Sequence, residues 1–168
     1  MVIEDPKKIE VSHEPTRRQI LRLLSDKEMT LTQIAKKLGL TKRSVAYHLR
    51  ILLNEDLIAL TKKRVNEYGI QEKFYKAKAA VLIGDFKRSS QRIKEDTLES
   101  NRDVVMGFLC GRPTAKPVSD GDLERLVESF TEMVQEVSGE VNTGKSRNQT
   151  KLAIYKETFK RLEEKSQW

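Results

Sequence analysis

Residues 30–52 read TLTQIAKKLGLTKRSVAYHLRIL and decide the fold, because they describe two short helices joined by a tight turn. Apolar residues recur at helical spacing through the first half of the stretch, at Leu31, Ile34, Ala35 and Leu38. Gly39 stands where a helix ends in the left-handed conformation, and Thr41 is suited to cap the next helix. The stretch therefore predicts a helix-turn-helix, with the small Ala35 at the point where the two helices cross.

The second of these helices predicts a free polar face. Val45, Leu49 and Leu52 follow one another at i, i+4 and i+7, so they face inward. The opposite face carries Lys42, Arg43, Ser44, Tyr47 and Arg50. A helix of this kind can enter the major groove of DNA, where Arg43 is suited to a bidentate contact with guanine. We predict that this face reads bases.

A β-hairpin is predicted directly after these helices. Residues 56–63 and 70–77 read as strands, and the turn residues 64–69 separate them. A hairpin in this position is the wing of a winged helix. Its basic side chains, together with two arginines of a helix predicted over residues 14–25, are predicted to contact DNA phosphates: Lys62, Lys63, Arg64, Lys73, Lys76, Arg17 and Arg18.

The net charge of +7 lies wholly in the first half of the chain. Residues 1–78 contain 17 Lys and Arg against 10 Asp and Glu, whereas residues 79–168 contain 15 of each kind. A basic region joined to a neutral one is typical of a protein that binds a polyanion.

Five pieces of sequence resemble a known family in their order and spacing. They are residues 14–21, 34–40, 44–52, 57–58 and 74–77. Together they resemble the ArsR-type winged helix family, and they are most similar to its archaeal-style members with an extra helical C-terminal region. The resemblance implies a mainly α fold with a small β-hairpin wing, and a transcription regulator that binds a pseudo-palindromic operator as a homodimer. We expect a DNA-binding domain over residues 1–80 and a helical region over residues 81–168.

The metal-sensing members of that family carry a Cys-x-Cys pair near the recognition helix, or paired His and Asp ligands on a C-terminal helix. Neither pattern is visible in this sequence, whose only histidines are His13 and His48. His48 is better suited to packing or to a phosphate contact than to a metal. We therefore predict no metal and no cofactor.

The second half predicts three amphipathic helices, over about 90–109, from Ser119 onward, and around 152–162. Their apolar stripes fit either a bundle within one subunit or an interface between two. We predict the interface, because DNA sites with two-fold symmetry match dimers with two-fold symmetry. The predicted dimer contacts are Leu123, Leu126, Val127, Phe130, Val134, Leu152, Tyr155, Phe159 and Leu162. A pocket for an effector of unidentified chemistry is compatible with these helices.

Residues 139–146 match the P-loop pattern G-x-x-x-x-G-K-S, in which Lys145 would contact phosphates and Ser146 a magnesium ion. That motif requires a preceding buried strand, whereas here it follows an amphipathic helix. We interpret residues 138–144 as a loop between helices and keep nucleotide binding as a remote alternative. No residues stand in a catalytic arrangement, so we predict that the chain is not an enzyme.

The compartment is predicted from what the sequence lacks. No apolar run is long enough to cross a bilayer, the N-terminus does not read as a signal peptide, and Cys110 has no second cysteine to pair with. These features predict a cytoplasmic protein. A second functional class, a winged-helix module that binds another protein, stays open. Such a module should carry apolar residues on the face of its second helix, whereas this sequence places basic residues there.

Overall fold

A computed structural model describes residues 1–111, 118–141 and 146–165 of the 168-residue chain. The fold is mainly α with a small antiparallel sheet, as predicted. Its elements, in chain order, are β1 (Val2–Ile3), α1 (Pro6–His13), α2 (Pro15–Asp26), β2 (Met29–Thr30), α3 (Leu31–Leu38), α4 (Lys42–Asn54), β3 (Ile58–Val65), β4 (Gln71–Ala77), β5 (Ile83–Gly84), α5 (Gln91–Cys110), α6 (Asp120–Glu140) and α7 (Arg147–Lys165).

Helices α3 and α4 form the predicted helix-turn-helix, and local interactions fix both ends of the turn. Thr30 caps α3 reciprocally with Gln33: the Gln33 N–H donates to Thr30 Oγ1 at 3.3 Å, and the Thr30 N–H donates to Gln33 Oε1 at 2.9 Å. Gly39 ends α3 with a φ of 66°, a value at which any side chain would be strained. Thr41 then accepts the Ser44 N–H and begins α4. The turn is therefore short and rigid.

Strands β3 and β4 form the wing as an antiparallel pair in a three-stranded sheet of order β2-β4-β3. The register shifts between Leu60 and Lys62, so that Thr61 is an extra residue on β3. At the tip, Asn66 Oδ1 accepts the N–H groups of Tyr68 and Ile70, and Gly69 has a φ of 74°. Strand β2, which the sequence did not predict, lies on the other side of β4 and ties the wing to the start of α3.

The N-terminal segment adds two elements that were not predicted. Asp5 caps α1 by accepting the Lys7 N–H at 2.9 Å, and Pro6 occupies the first turn. Strand β1 pairs in parallel with β5, which follows the wing by only a few residues. Gly84 of β5 lies so close to α1 that a Cβ there would be 3.0 Å from Ile9.

Helices α5, α6 and α7 pack together around Phe130, which is fully buried. Ser119 caps α6 as predicted. The end of α6 differs from expectation: the helix continues to Glu140, so residues 138–140 are helical rather than the start of a loop. Residues 142–145 lie outside the described residues.

The residues predicted for a dimer interface mostly lie inside this one-subunit core. The buried members are Leu123, Leu126, Val127, Phe130, Val134 and Leu162. Tyr155 and Phe159 are half-buried beside them, with their rings against Phe130. Leu152 is 55% exposed. Packing within one subunit, the first of the two alternatives, therefore accounts for most of the stripe, and pairing between two subunits stays a prediction.

Candidate nucleic-acid interface

Helix α4, the predicted recognition helix, is anchored by its apolar side, and this leaves its basic side free. Val45, Leu49 and Leu52 are buried against α2 and α3. On the other side, all of the predicted base-reading residues except Ser44 are exposed, namely Lys42, Arg43, Tyr47 and Arg50. Ser44 is half-buried in the first turn. The structure therefore gathers these side chains on one surface, which we call the recognition face.

The beginning of α4 concentrates positive charge. Its first turn contains Lys42 and Arg43 and no acidic residue. The N-terminus of a helix already carries a partial positive charge, so two cations there are unfavourable in the free protein. The same arrangement is favourable when a phosphate or the acceptor edge of guanine approaches.

Two aromatic contacts shape the middle of the recognition face. The Arg50 guanidinium carbon lies 5.9 Å from the centroid of the Tyr47 ring. Tyr47 also meets the His48 ring edge-on, with the ring centroids 5.3 Å apart, and the residue is 53% exposed. Tyr47 therefore supports Arg50 while keeping a flat surface toward solvent.

The wing carries its free cations on both strands. Lys63 lies directly opposite Lys73, and Arg64 lies opposite Glu72. All of the cations predicted on the wing are exposed. Lys62 differs from the others because its ammonium group forms an ion pair with Glu28 and lies 4.6 Å from the Phe74 ring centroid.

The exposed apolar side chains at the tip of the wing were not predicted from the sequence. Val65, Tyr68 and Ile70 are exposed there, Tyr68 to 77%. These are large apolar groups in a turn that is otherwise polar, and that contrast is the signal that could have identified them. A wedge of this kind beside basic side chains is suited to the minor groove.

The two arginines predicted on α2 do not join these surfaces. Arg17 is only 14% exposed; its Nε donates to the Val11 carbonyl at 2.6 Å, and its Nη1 lies 3.7 Å from Glu14. Arg17 thus holds α1 against α2. Arg18 lines a cleft on the C-terminal side together with Arg22 and Arg147. We therefore leave both arginines out of the proposed DNA surface.

His48 belongs to the interior of the site. Its Nδ1 is buried without a hydrogen bond, 3.8 Å from Glu14 Oε2. Glu14 caps α2 by accepting the N–H groups of Thr16 and Arg17. Burial opposes ionisation of Glu14, but these N–H groups and the nearby Arg17 and His48 lower the pKa of its carboxyl below the usual value. His48 and Glu14 therefore connect the start of α2 to the back of α4.

The described residues were also compared with three other features: a metal site, a membrane-spanning helix and a P-loop. In residues 1–111, 118–141 and 146–165, no three His, Cys, Asp or Glu side chains come together as a metal-binding group. None of the helices in these ranges is long and apolar enough to span a membrane. The P-loop-like stretch begins inside the 21-residue helix α6, at Gly139 and Glu140, instead of after a strand, and its Lys145 lies outside the described part of the chain.

The helix-turn-helix matches a known family. Residues 14–59 match the family described as bacterial regulatory protein, arsR family. The match begins at the Glu14 cap of α2 and ends at the start of β3, so it covers α2, α3 and α4. This part of the chain is thus a helix-turn-helix of the type found in DNA-binding transcription regulators. The grouping with archaeal-style members stays a prediction.

One solved structure shows a distant likeness. The crystal structure of the adhesin competence repressor (AdcR) from Streptococcus pyogenes is 20% identical in sequence, with a TM-score of 0.35. The similarity covers 78% of this chain and 87% of that one. No curated protein matches the sequence.

Proposed function

We propose that this protein is a sequence-specific transcription regulator that places α4 in the major groove of DNA. The observation that carries the proposal is the exposed, basic beginning of α4, which is held in place by the buried apolar side of the same helix. Arg43 is the proposed base-reading residue, because it lies in the first turn, where recognition helices contact base edges.

The wing is proposed to bind the backbone beside that groove. Lys63, Arg64 and Lys73 would neutralise phosphates, and Tyr68 at the tip would lie over the adjacent minor groove. The apolar tip adds contact area without reading a unique base pattern, because the minor groove distinguishes base pairs poorly.

We further propose that two copies bind a pseudo-palindromic operator. One recognition helix reads only a short half-site, and a symmetric pair reads two half-sites about 10 base pairs apart. Apolar side chains remain exposed on α5 and α7 for such pairing, at Met106 and Leu152. This pairing would leave the three-helix core of each subunit intact. The cytoplasm is the compartment that such a function requires.

The proposal is tested by selecting bound fragments from random DNA with the purified full chain. We expect a recurrent motif with two inverted halves. Arg43→Ala should weaken binding to the selected site by about 1–3 kcal/mol and relax the base preference at one position of each half.

The matched control is Arg125→Ala, which removes an exposed arginine from α6. If Arg43→Ala and Arg125→Ala bind the selected site equally well, the placement of α4 in the groove is wrong. If the wild-type chain shows no salt-sensitive DNA binding, the alternative of a winged-helix module that binds protein is favoured instead.

A further inference from the structure

A cleft of about 210 Å³ lies between the helix-turn-helix part and the C-terminal helices. His13, Arg18 and Arg22 form the wall on the side of α1 and α2, and residues 81–84 and Phe86 also line the cleft. Helices α5, α6 and α7 form the opposite wall. A smaller recess of about 130 Å³ continues it along α2. The Arg147 N–H, which donates to Asp26 Oδ1 at 3.3 Å, fixes the start of α7 against the end of α2.

The cleft is strongly basic. Arg18, Arg22, Arg147 and Lys151 line it. Among residues 1–111, 118–141 and 146–165, no carboxylate forms an ion pair with any of the three arginines. The one carboxylate in the lining, Asp96, lies 3.5 Å from Arg92 and is thereby paired outside the arginine group.

The arginines also affect one another. Partial burial lowers the pKa of the Arg18 guanidinium, and the neighbouring charges of Arg22 and Arg147 lower it further, against the opposing effect of Asp96. Crowded and partly desolvated cations are unfavourable unless an anion compensates them. Asp96 and Asp26 are described carboxylates near the group, and neither forms an ion pair with the guanidinium of Arg18, Arg22 or Arg147.

The rest of the lining is apolar or neutral. Leu82 and Phe86 are half-buried and supply apolar surface, and the centroid of the Tyr155 ring lies 5.0 Å from Lys151 Nζ. Pockets for drug-sized molecules span roughly 300–1,000 Å³, so this cleft suits a smaller ligand. An apolar wall with convergent cations is the chemistry of a site for an amphipathic anion.

We propose that this cleft binds a small organic anion, a carboxylate or phosphate monoester carrying a short apolar or aromatic body. The anionic group lies between Arg18, Arg22 and Arg147, and the body lies against Phe86 and Tyr155. Because the ligand contacts both α2 and α7, it joins the DNA-binding part to the C-terminal helices. An effect on DNA affinity rests on the proposed function, whereas anion binding itself does not.

The test is a titration of the full chain, without DNA, with benzoate and with phenyl phosphate, followed by amide chemical shifts. Benzyl alcohol tests the need for charge, and inorganic phosphate tests the need for the apolar body. We expect saturable shifts centred on Arg18, Arg22 and Arg147 for at least one of the two aromatic anions at millimolar concentration. Binding of benzyl alcohol and of inorganic phosphate should be much weaker.

The double variant Arg18→Gln with Arg147→Gln should bind the aromatic anion at least about tenfold more weakly, a change of about 1.4 kcal/mol. Arg125→Gln, an exposed arginine outside the cleft, should bind as the wild type does. If the double variant does not fold, the exposed Arg22→Gln carries the same comparison. The proposal is overturned if neither aromatic anion saturates, if benzyl alcohol binds equally well, or if the cleft variants bind like Arg125→Gln.

Discussion

Lys63 and Lys73 lie directly opposite each other across the two strands of the wing. Like charges directly opposite each other destabilise a hairpin. An arrangement that is unfavourable in the free chain becomes favourable when phosphates lie beside both ammonium groups. The pair is therefore the part of the wing best prepared for a polyanion.

From this pair we predict that Lys63→Gln weakens binding to all DNA sequences by a similar factor. The slope of log K against log salt should become less steep by about one unit, because one fewer phosphate is neutralised. The hairpin itself should become slightly more stable. Affinity measured across a salt series checks this, with Lys156→Gln, an exposed lysine in the middle of α7, as the control. If Lys63→Gln and Lys156→Gln gave equal slopes of log K against log salt, the wing would not be part of the surface that contacts DNA.

A second prediction concerns the ion pair between Lys62 and Glu28. The hydrogen bonds from Lys62 and Thr61 lower the pKa of the Glu28 carboxyl, so Glu28 is ionised and holds the Lys62 ammonium group at the base of the wing. We expect Glu28→Gln to strengthen DNA binding, because it frees Lys62 and removes a negative charge near the phosphates. The salt slope should steepen by up to about one unit.

The control for this second prediction is Glu99→Gln, which removes an exposed carboxylate from α5 and gives the same change in net charge. Comparable gains in DNA affinity from Glu28→Gln and Glu99→Gln would show that net charge, and not the release of Lys62, is responsible.

A third prediction separates stability from binding at the beginning of α4. Lys42→Glu replaces a cation by an anion at the positive end of the helix, so the free energy of unfolding should rise by about 0.3–1 kcal/mol. DNA binding should fall by at least about tenfold, because the recognition face gains a negative charge beside Arg43. Urea unfolding and DNA titration of one preparation measure both effects.

Lys156→Glu makes the same charge change in the middle of α7 and should alter neither quantity much. If Lys42→Glu lost stability and binding together, the loss of binding would be a consequence of unfolding. That result would contradict the claim that the basic start of α4 serves DNA binding and lowers the stability of the free protein.

The sequence predicted the elements whose signals are local. Helices α3 and α4 follow from apolar spacing, the glycine at position 39 and the threonine cap at position 41, all of which act within a few residues. Helix α1 carries one fully buried apolar side chain, Ile9, so periodicity could not reveal it, although Asp5 and Pro6 are typical of a helix start. Strands β1 and β2 are two residues long and depend on partners far along the chain, β5 and β4.

In the candidate site, too, the features set by local sequence could be predicted, and those that depend on distant partners could not. The exposed face of α4 could be predicted because helix geometry alone separates Arg43 from Val45. The partners of Arg17 and Lys62 could not, since Val11 lies on a helix that was not predicted and Glu28 lies 34 residues from Lys62. The cleft lined by Arg18 and Arg147 depends on how α2 and α7 pack, which no local pattern encodes.

A final prediction concerns Glu14, which joins the start of α2 to His48 of α4. Its pKa is lowered in the folded protein, so it stabilises the fold at pH values above its unfolded pKa of about 4.3. This contribution is lost as the pH falls through the folded pKa. Glu14→Ala should therefore lower the free energy of unfolding by roughly 1 kcal/mol at neutral pH, a usual value for loss of an N-cap.

The difference between the wild type and Glu14→Ala should shrink as the pH is lowered below about 4. Urea unfolding at neutral and acidic pH measures it, and comparison of the two chains cancels the titration of the other carboxyl groups. Glu99→Ala on α5 should stay within about 0.5 kcal/mol of the wild type at both pH values, as is usual for an exposed surface position. A Glu14→Ala difference that stays constant or grows at low pH would mean that the ionised carboxylate does not hold α2 and α4 together.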